Sequence, residues 1–183
     1  MANLDNIASL GETSTFIRDF STYNNNGTVG GGAIWTGNGK RNGAYQFDGV
    51  DDFISFGNDV KTDALSVQNM ATYSLWVKIN TCIPQQEMIS QRDDSPYDGR
   101  GIYVQNNVIG FWSRNSAGTW QERRTTCIPN QWINLTLTQS GNVIAGYMNG
   151  SSIGSLDMGS SLASHYYSYF TIGKYTDVTN YFN

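Results

Sequence analysis

Aspartate is concentrated where it could hold a cation. The run Arg92-Asp-Asp-Ser-Pro-Tyr-Asp-Gly99 packs Asp93, Asp94 and Asp98 between two segments with strand chemistry. A loop of this kind presents hard carboxylate oxygens without helical constraint, which is the ligand chemistry of Ca²⁺. The same residues equally suit a solvated acidic loop stabilised by side-chain turns. Asp19, with Ser21 and Asn24 to Asn26, reads as a turn held by side-chain hydrogen bonds.

Chemistry that breaks bonds has less to stand on. Glycoside hydrolysis needs two carboxyl groups close together, and the three glutamates, Glu12, Glu87 and Glu122, are scattered. A Ser or Cys nucleophile needs a base, usually His. The one histidine, His165, sits in a Tyr-rich segment with no partner pattern. Gly30-Gly-Gly32 lacks the strand, helix and lysine of a phosphate loop. The expectation is a protein that is not an enzyme and has no catalytic residues.

Aromatic residues offer a different chemistry, because the C–H face of a sugar stacks on a ring. Trp112 and Trp120 fall on neighbouring strand segments and are expected to be open to solvent on the concave face of a sheet. Tyr97, Tyr166, Tyr167 and Tyr175 crowd loop segments, as do Tyr169 and Tyr181, and complete a candidate ligand-binding set. Trp76 and Trp132 alternate with polar residues and are expected in the core.

The elements that must position these side chains are strands. Gly and Asn punctuate the chain at short intervals, and helical periodicity is nearly absent. Tyr73, Leu75, Val77 and Ile79 fall on one face of an alternating run, and Trp132 to Thr138 alternates as well. Asn106-Asn107 and Asn149-Gly150 read as tight hairpin turns. The only helical turn expected lies near Thr62 to Asn69. Many short strands at this spacing mean an all-β sandwich or barrel, and 183 residues suit one such domain. Aromatics are 13% and charged residues only 14% of the chain, against roughly 25% charge in a typical domain. The net charge of −4 argues against nucleic acid, which requires a basic stripe. No stretch is apolar for long enough to span a membrane. The neutral polar composition suits an extracellular, cell-surface or virion protein. No signal peptide is visible at the N-terminus.

Four landmarks then resemble one family. Arg18-Asp-Phe-Ser-Thr-Tyr-Asn-Asn-Asn-Gly27 resembles an early D-x-S-x-x-x-N-x-G loop. Gly43-Ala-Tyr-Gln-Phe-Asp-Gly-Val-Asp-Asp-Phe-Ile54 resembles a G-x-A-x-x-F-D-G-x-D-D-x-I signature. Tyr73-Ser-Leu-Trp-Val-Lys78 resembles a T-x-S-x-W-V-K strand. Trp132, the Thr136-Leu-Thr strand and Tyr147-Met-Asn-Gly150 resemble a W…T…Y-x-N-G segment. Together they resemble the laminin-G-like jelly rolls of the concanavalin-A-like lectin and glucanase superfamily. The resemblance covers residues 15 to 173 and implies an antiparallel two-sheet jelly-roll sandwich. It makes Asp48, Asp51 and Asp52 structural, with Phe47 and Phe53 pointing inward and Trp35 packed on the F-D-G turn.

Three further expectations come with it. The superfamily often binds Ca²⁺ at one rim, which carries over to Asp98 and Asp177 as ligands with Asp93, Asp94 or Asn180 as helpers. Its neighbouring Trp76 and Trp132 strands would set Cys82 opposite Cys127 if Ser74 faces Leu135, implying a disulfide. Its usual last strand, G-x-I-D, has no counterpart before Asn183. That strand is absent, lies beyond a fragment, or comes from a strand-donating neighbour or homo-oligomer. The function expected is a non-catalytic carbohydrate- or surface-binding module with a glycan or cell-surface ligand, calcium-assisted at its rim. The alternative is a self-assembling structural subunit of a virion, fibre or filament.

Overall fold

The computed structural model describes residues 4, 6–57, 70–92, 99–115, 117–159, 169–175 and 182. Fourteen strands and one short 3₁₀ turn (Ala8–Leu10) account for the regular structure among them. Five short strands come first: β1 (Phe16–Ile17), β2 (Gly27–Gly30), β3 (Ile34–Thr36), β4 (Ala44–Gln46) and β5 (Phe53–Ser55). Longer ones follow: β6 (Met70–Lys78), β7 (Gln86–Arg92), β8 (Gly99–Gln105), β9 (Val108–Arg114) and β10 (Trp120–Thr126). The last are β11 (Trp132–Ser140), β12 (Val143–Met148), β13 (Ser151–Asp157) and β14 (Tyr169–Ile172). The structure is all-β and antiparallel, as the sequence led us to expect. No helix among the described residues is long and apolar enough to cross a membrane.

The strands form a large sheet, β1-β2-β5-β14-β7-β8-β9-β10, a small one, β13-β12-β11-β6, and the separate pair β3-β4. Period-two patterning makes the small sheet. Ile133, Leu135 and Leu137 of β11 are buried, and Val77, Leu75 and Tyr73 of β6 lie directly opposite them on the same face. Such cross-strand apolar pairs are what stabilise a sheet face. Phe111, Ile109, Ile102 and Val104 come from the large sheet to meet them in the main core. Trp76 alternates with this inward set, so it is 40% exposed on the outer face of β6. This corrects the expectation that it is core. Trp35 is half-buried, donates from Nε1 to the Leu4 carbonyl at 3.2 Å and packs over Gly43.

The expected hairpins are present. Asn106 and Asn107 have φ of 50° and 65°, and Asn149 and Gly150 have φ of 51° and 80°. These positive values match the right-handed twist of the strands they join. The expected turn at Thr62 to Asn69 lies outside the described residues.

Cys82 and Cys127 are disulfide-bonded, with Cα atoms 6.1 Å apart. The register that suggested the bond is one position out, since Ser74 faces Thr136 and not Leu135. The ladder ends at Lys78 and Trp132, so both cysteines lie beyond it. The β8–β9 turn aligns them instead: Asn107 donates its N–H to the Cys82 carbonyl at 2.8 Å and accepts from the Cys127 N–H at 2.9 Å.

Candidate functional site

Strands β8 and β9 are buried over almost their whole length, not at alternate positions. Strands covered on one face alternate, so continuous burial means both faces are covered. The inner face meets the small sheet. The outer face carries its own layer of aromatic and polar side chains, and that layer is the candidate site.

Register assembles it. Trp112 on β9 lies opposite Glu122 on β10, and Trp120 lies opposite Arg114 one step along the same face. Trp112 and Trp120 are therefore diagonal neighbours on adjacent antiparallel strands. Their indoles stack with centroids 4.5 Å apart and planes 11° from parallel. Tyr175 tilts against Trp112 at 5.9 Å, and the Arg92 guanidinium lies 4.9 Å over the Tyr175 ring. Trp120 ends the stack with 44% of its surface exposed.

The floor beneath is unusual. Gly101 lies across from Trp112, and a Cβ there would stand 2.7 Å from the indole nitrogen and 2.9 Å from a Glu87 oxygen. The missing side chain lets Trp112 lie flat across β8 and donate from Nε1 to Glu87 Oε1 at 2.6 Å. A bulge in β7, between Glu87 and Ile89, turns Glu87 to this outer face while Met88 and Ile89 both stay in the core. Glu87 is 1% exposed. Burial pushes its pKa well above the usual carboxylate value, although the indole N–H pulls the other way.

Alongside the stack, Tyr103 lies over Gly110 and donates to Glu122 Oε2 at 2.5 Å. Glu122 also pairs with Arg124. Burial, followed by the Glu122 hydrogen bond and charge, raises the Tyr103 phenol to about 12, so it stays a neutral donor. The surface thus offers one open indole face edged by a carboxylate and guanidinium groups.

Of the expected ligand-binding residues, Trp112, Trp120 and Tyr175 come together. Trp112 is not open to solvent. At 1% exposure it is sealed between Trp120, Tyr175 and Glu87, which corrects that expectation. Tyr97, Tyr166 and Tyr167 lie outside the described residues, as do the expected metal ligands Asp93, Asp94, Asp98, Asp177 and Asn180. Glu87, Tyr103 and Glu122 were missed because separation in sequence hid a shared sheet face.

The other acidic groups act as turns. Asp48 Oδ1 accepts from Val50 N–H, and Asp52 Oδ2 accepts from Asp48 N–H, both at 2.8 Å. Asp19 accepts from the Ser21 N–H and hydroxyl and from Asn25 N–H. Burial opposes its ionised form, but hydrogen bonds, these among them, outweigh it and hold its pKa below the ordinary value.

A family model of the concanavalin A-like lectin/glucanases superfamily matches residues 48–183. The chain belongs to this laminin G family. No curated protein matches it in sequence. Among solved structures, this laminin G domain is similar to the binding domain of botulinum neurotoxin serotype D, with TM-score 0.68 and 17% identity over 88% of this chain and 42% of that one. It is similar to the binding domain of Paraclostridial Mosquitocidal Protein 1, with TM-score 0.69 and 14% identity over 91% and 43%. It is also similar to domain 4 of AbnA, a GH43 extracellular arabinanase from Geobacillus stearothermophilus, in complex with arabinotriose. There the TM-score is 0.69 and identity is 15% over 93% of this chain and 87% of that one. The chain therefore spans about two fifths of the toxin binding domains and most of the arabinanase domain.

Proposed function

We propose that this laminin G domain is a non-catalytic carbohydrate-binding module that holds a sugar against the exposed face of Trp120. The observation that carries the reading is the Trp112–Trp120 stack, in which one indole is buried as a support and the other is left open. A ring fixed from behind loses little freedom when a ligand stacks on it, so less binding energy goes into ordering. Glu122 and the guanidinium groups of Arg114 and Arg124 supply polar partners for sugar hydroxyls at its edges. The arabinanase domain solved with arabinotriose has the same fold and nearly the same extent, which supports the sugar as ligand class.

Two features favour binding over hydrolysis. Glu87 has almost no exposed surface beneath Trp112, and Glu122 is occupied by Tyr103 and Arg124. Neither carboxyl is poised on the open side of the ring as a bond-cleaving pair requires. The disulfide supports an oxidising, extracellular location. We extend the proposal to Ca²⁺ at the rim, through Asp98 and Asp177 with Asp93, Asp94 or Asn180, on the density of oxygen ligands in those loops. A glycan array that includes arabinan oligosaccharides, run with Ca²⁺ and with EDTA on the protein and on Trp120→Ala, tests both parts.

A further inference from the structure

The F-D-G turn between β4 and β5 leaves one buried acidic oxygen without a partner. Asp48, Asp51 and Asp52 each bring a carboxylate oxygen within 4.8 Å of the other two. Asp48 and Asp51 are exposed, whereas Asp52 is buried, with 4% of its surface open. Asp52 Oδ2 accepts the Asp48 N–H. Its Oδ1 is buried and has no hydrogen-bond partner. A carboxylate's two oxygens share one carbon, so Oδ1 lies at the cluster whichever of them is counted. Buried polar atoms without a partner are rare, because their desolvation goes uncompensated.

The neighbouring turn supplies nothing polar to meet that oxygen. The β2–β3 turn packs against it through Gly31 and Gly32, at φ of 77° and 119°. A Cβ on Gly31 would collide with the Asp51 carbonyl, and one on Gly32 would stand 3.5 Å from Asp52 Oδ1. Bare glycine backbone therefore forms the wall beside Oδ1. Among the described residues no lysine or arginine pairs with Asp51 or Asp52. Burial, and after it the charges of Asp48 and Asp51, raise the Asp52 pKa against the pull of the Asp48 N–H. Carboxyl groups placed this way repel one another until a positive charge sits among them.

We propose that Asp48, Asp51 and Asp52 hold a Ca²⁺ ion, with Asp52 Oδ1 as its buried ligand. The donors are all hard oxygens, without the nitrogen or sulfur that zinc and copper prefer. One oxygen from each carboxylate leaves about three to five positions of a Ca²⁺ shell to water, which the exposure of Asp48 and Asp51 admits. Mg²⁺ fits less well, because it demands a near-ideal octahedron, and this turn is already tied by its own backbone N–H bonds. The ion joins the start of the turn, Asp48, to its end, Asp51 and Asp52. The site shares no residue with the loops of Asp98 and Asp177, so the two are tested apart.

The test is calorimetric titration with CaCl₂ on Asp98→Asn/Asp177→Asn, a background without those loop carboxylates, and on the same protein carrying Asp51→Asn. The proposal expects one saturable site with Kd of ~10⁻⁴–10⁻³ M, the range of extracellular modules, and a loss of about tenfold or more with Asp51→Asn. Asp48→Asn, which keeps an oxygen for the Val50 N–H, should do the same. Ca²⁺ should raise the melting temperature of the background protein by several degrees and leave that of the Asp51→Asn protein in place. Asp51 is exposed, so in EDTA the Asp51→Asn protein should melt no lower than the background. Three results would overturn the proposal: no Ca²⁺ bound by the background protein, equal affinity with Asp51→Asn, or an equal rise in melting temperature from NaCl at matched ionic strength, which marks screening alone.

Discussion

Trp120 lies parallel to Trp112, 4.5 Å centroid to centroid, and only Trp120 faces solvent. The buried ring makes the exposed one rigid. Replacing Trp120 by alanine should weaken glycan binding by about tenfold or more, which corresponds to roughly 1.4 kcal/mol. The fold should lose only the stacking contribution, about 1 kcal/mol, or a few degrees in melting temperature for a domain of this size. Array binding and thermal melts on the same samples separate the two effects.

Glu87 gives the domain a pH dependence opposite in sign to that contributed by Asp19. Its folded pKa is raised by burial, so the folded state holds a proton that the unfolded state releases above its ordinary value near 4.5. Stability contributed by this group is complete below that value and is lost as pH rises toward the folded pKa, at no more than about 1.4 kcal/mol per pH unit. Glu87→Gln keeps an acceptor for the Trp112 N–H and removes the titration. Urea unfolding should therefore find the variant at least as stable as the parent at pH 7, with the advantage gone at pH 4. Asp19 works the other way: its folded pKa is depressed, so its contribution is present above about 3.8 and lost as pH falls below it.

The disulfide should matter more than any single surface contact. It closes a loop between residues 45 positions apart, for which the chain-entropy account gives about 4 kcal/mol. Cys82→Ser/Cys127→Ser should lose most of that in denaturant titrations. It should also loosen the β8–β9 turn, where Asn107 bonds to both cysteine backbones.

Arg100 is a buried guanidinium whose partners are all neutral. It donates to Gln91, Gln139 and Tyr73 between the two sheets and is 2% exposed. Arg100→Ala strips donors from two buried glutamines and the half-buried Tyr73 hydroxyl, so unfolding measurements should find about 3 kcal/mol lost. A variant as stable as the parent would mean that these glutamines re-pair with one another.

What the sequence made legible was local. The alternation of Tyr73, Leu75 and Val77 survives as the inward face of β6, and Asn106-Asn107 and Asn149-Gly150 turn as their positive φ preference directs. The first four strands escaped notice because two to four residues carry no readable period. Trp112 looked open because its covers come from elsewhere: Trp120 on β10, Tyr175 after β14, and Glu87 turned outward by a bulge. Bulges and diagonal contacts depend on register, and register is set by the assembled sheet. The same cause put Ser74 opposite the wrong partner while the cysteine pairing came out right.

The measurement that bears most directly on the central claim is glycan-array binding by the parent protein and by Trp120→Ala. The parent should bind a small set of glycans selectively, and the folded variant should lose that binding. Unchanged binding in Trp120→Ala, or no glycan bound by the parent with or without Ca²⁺, would contradict it.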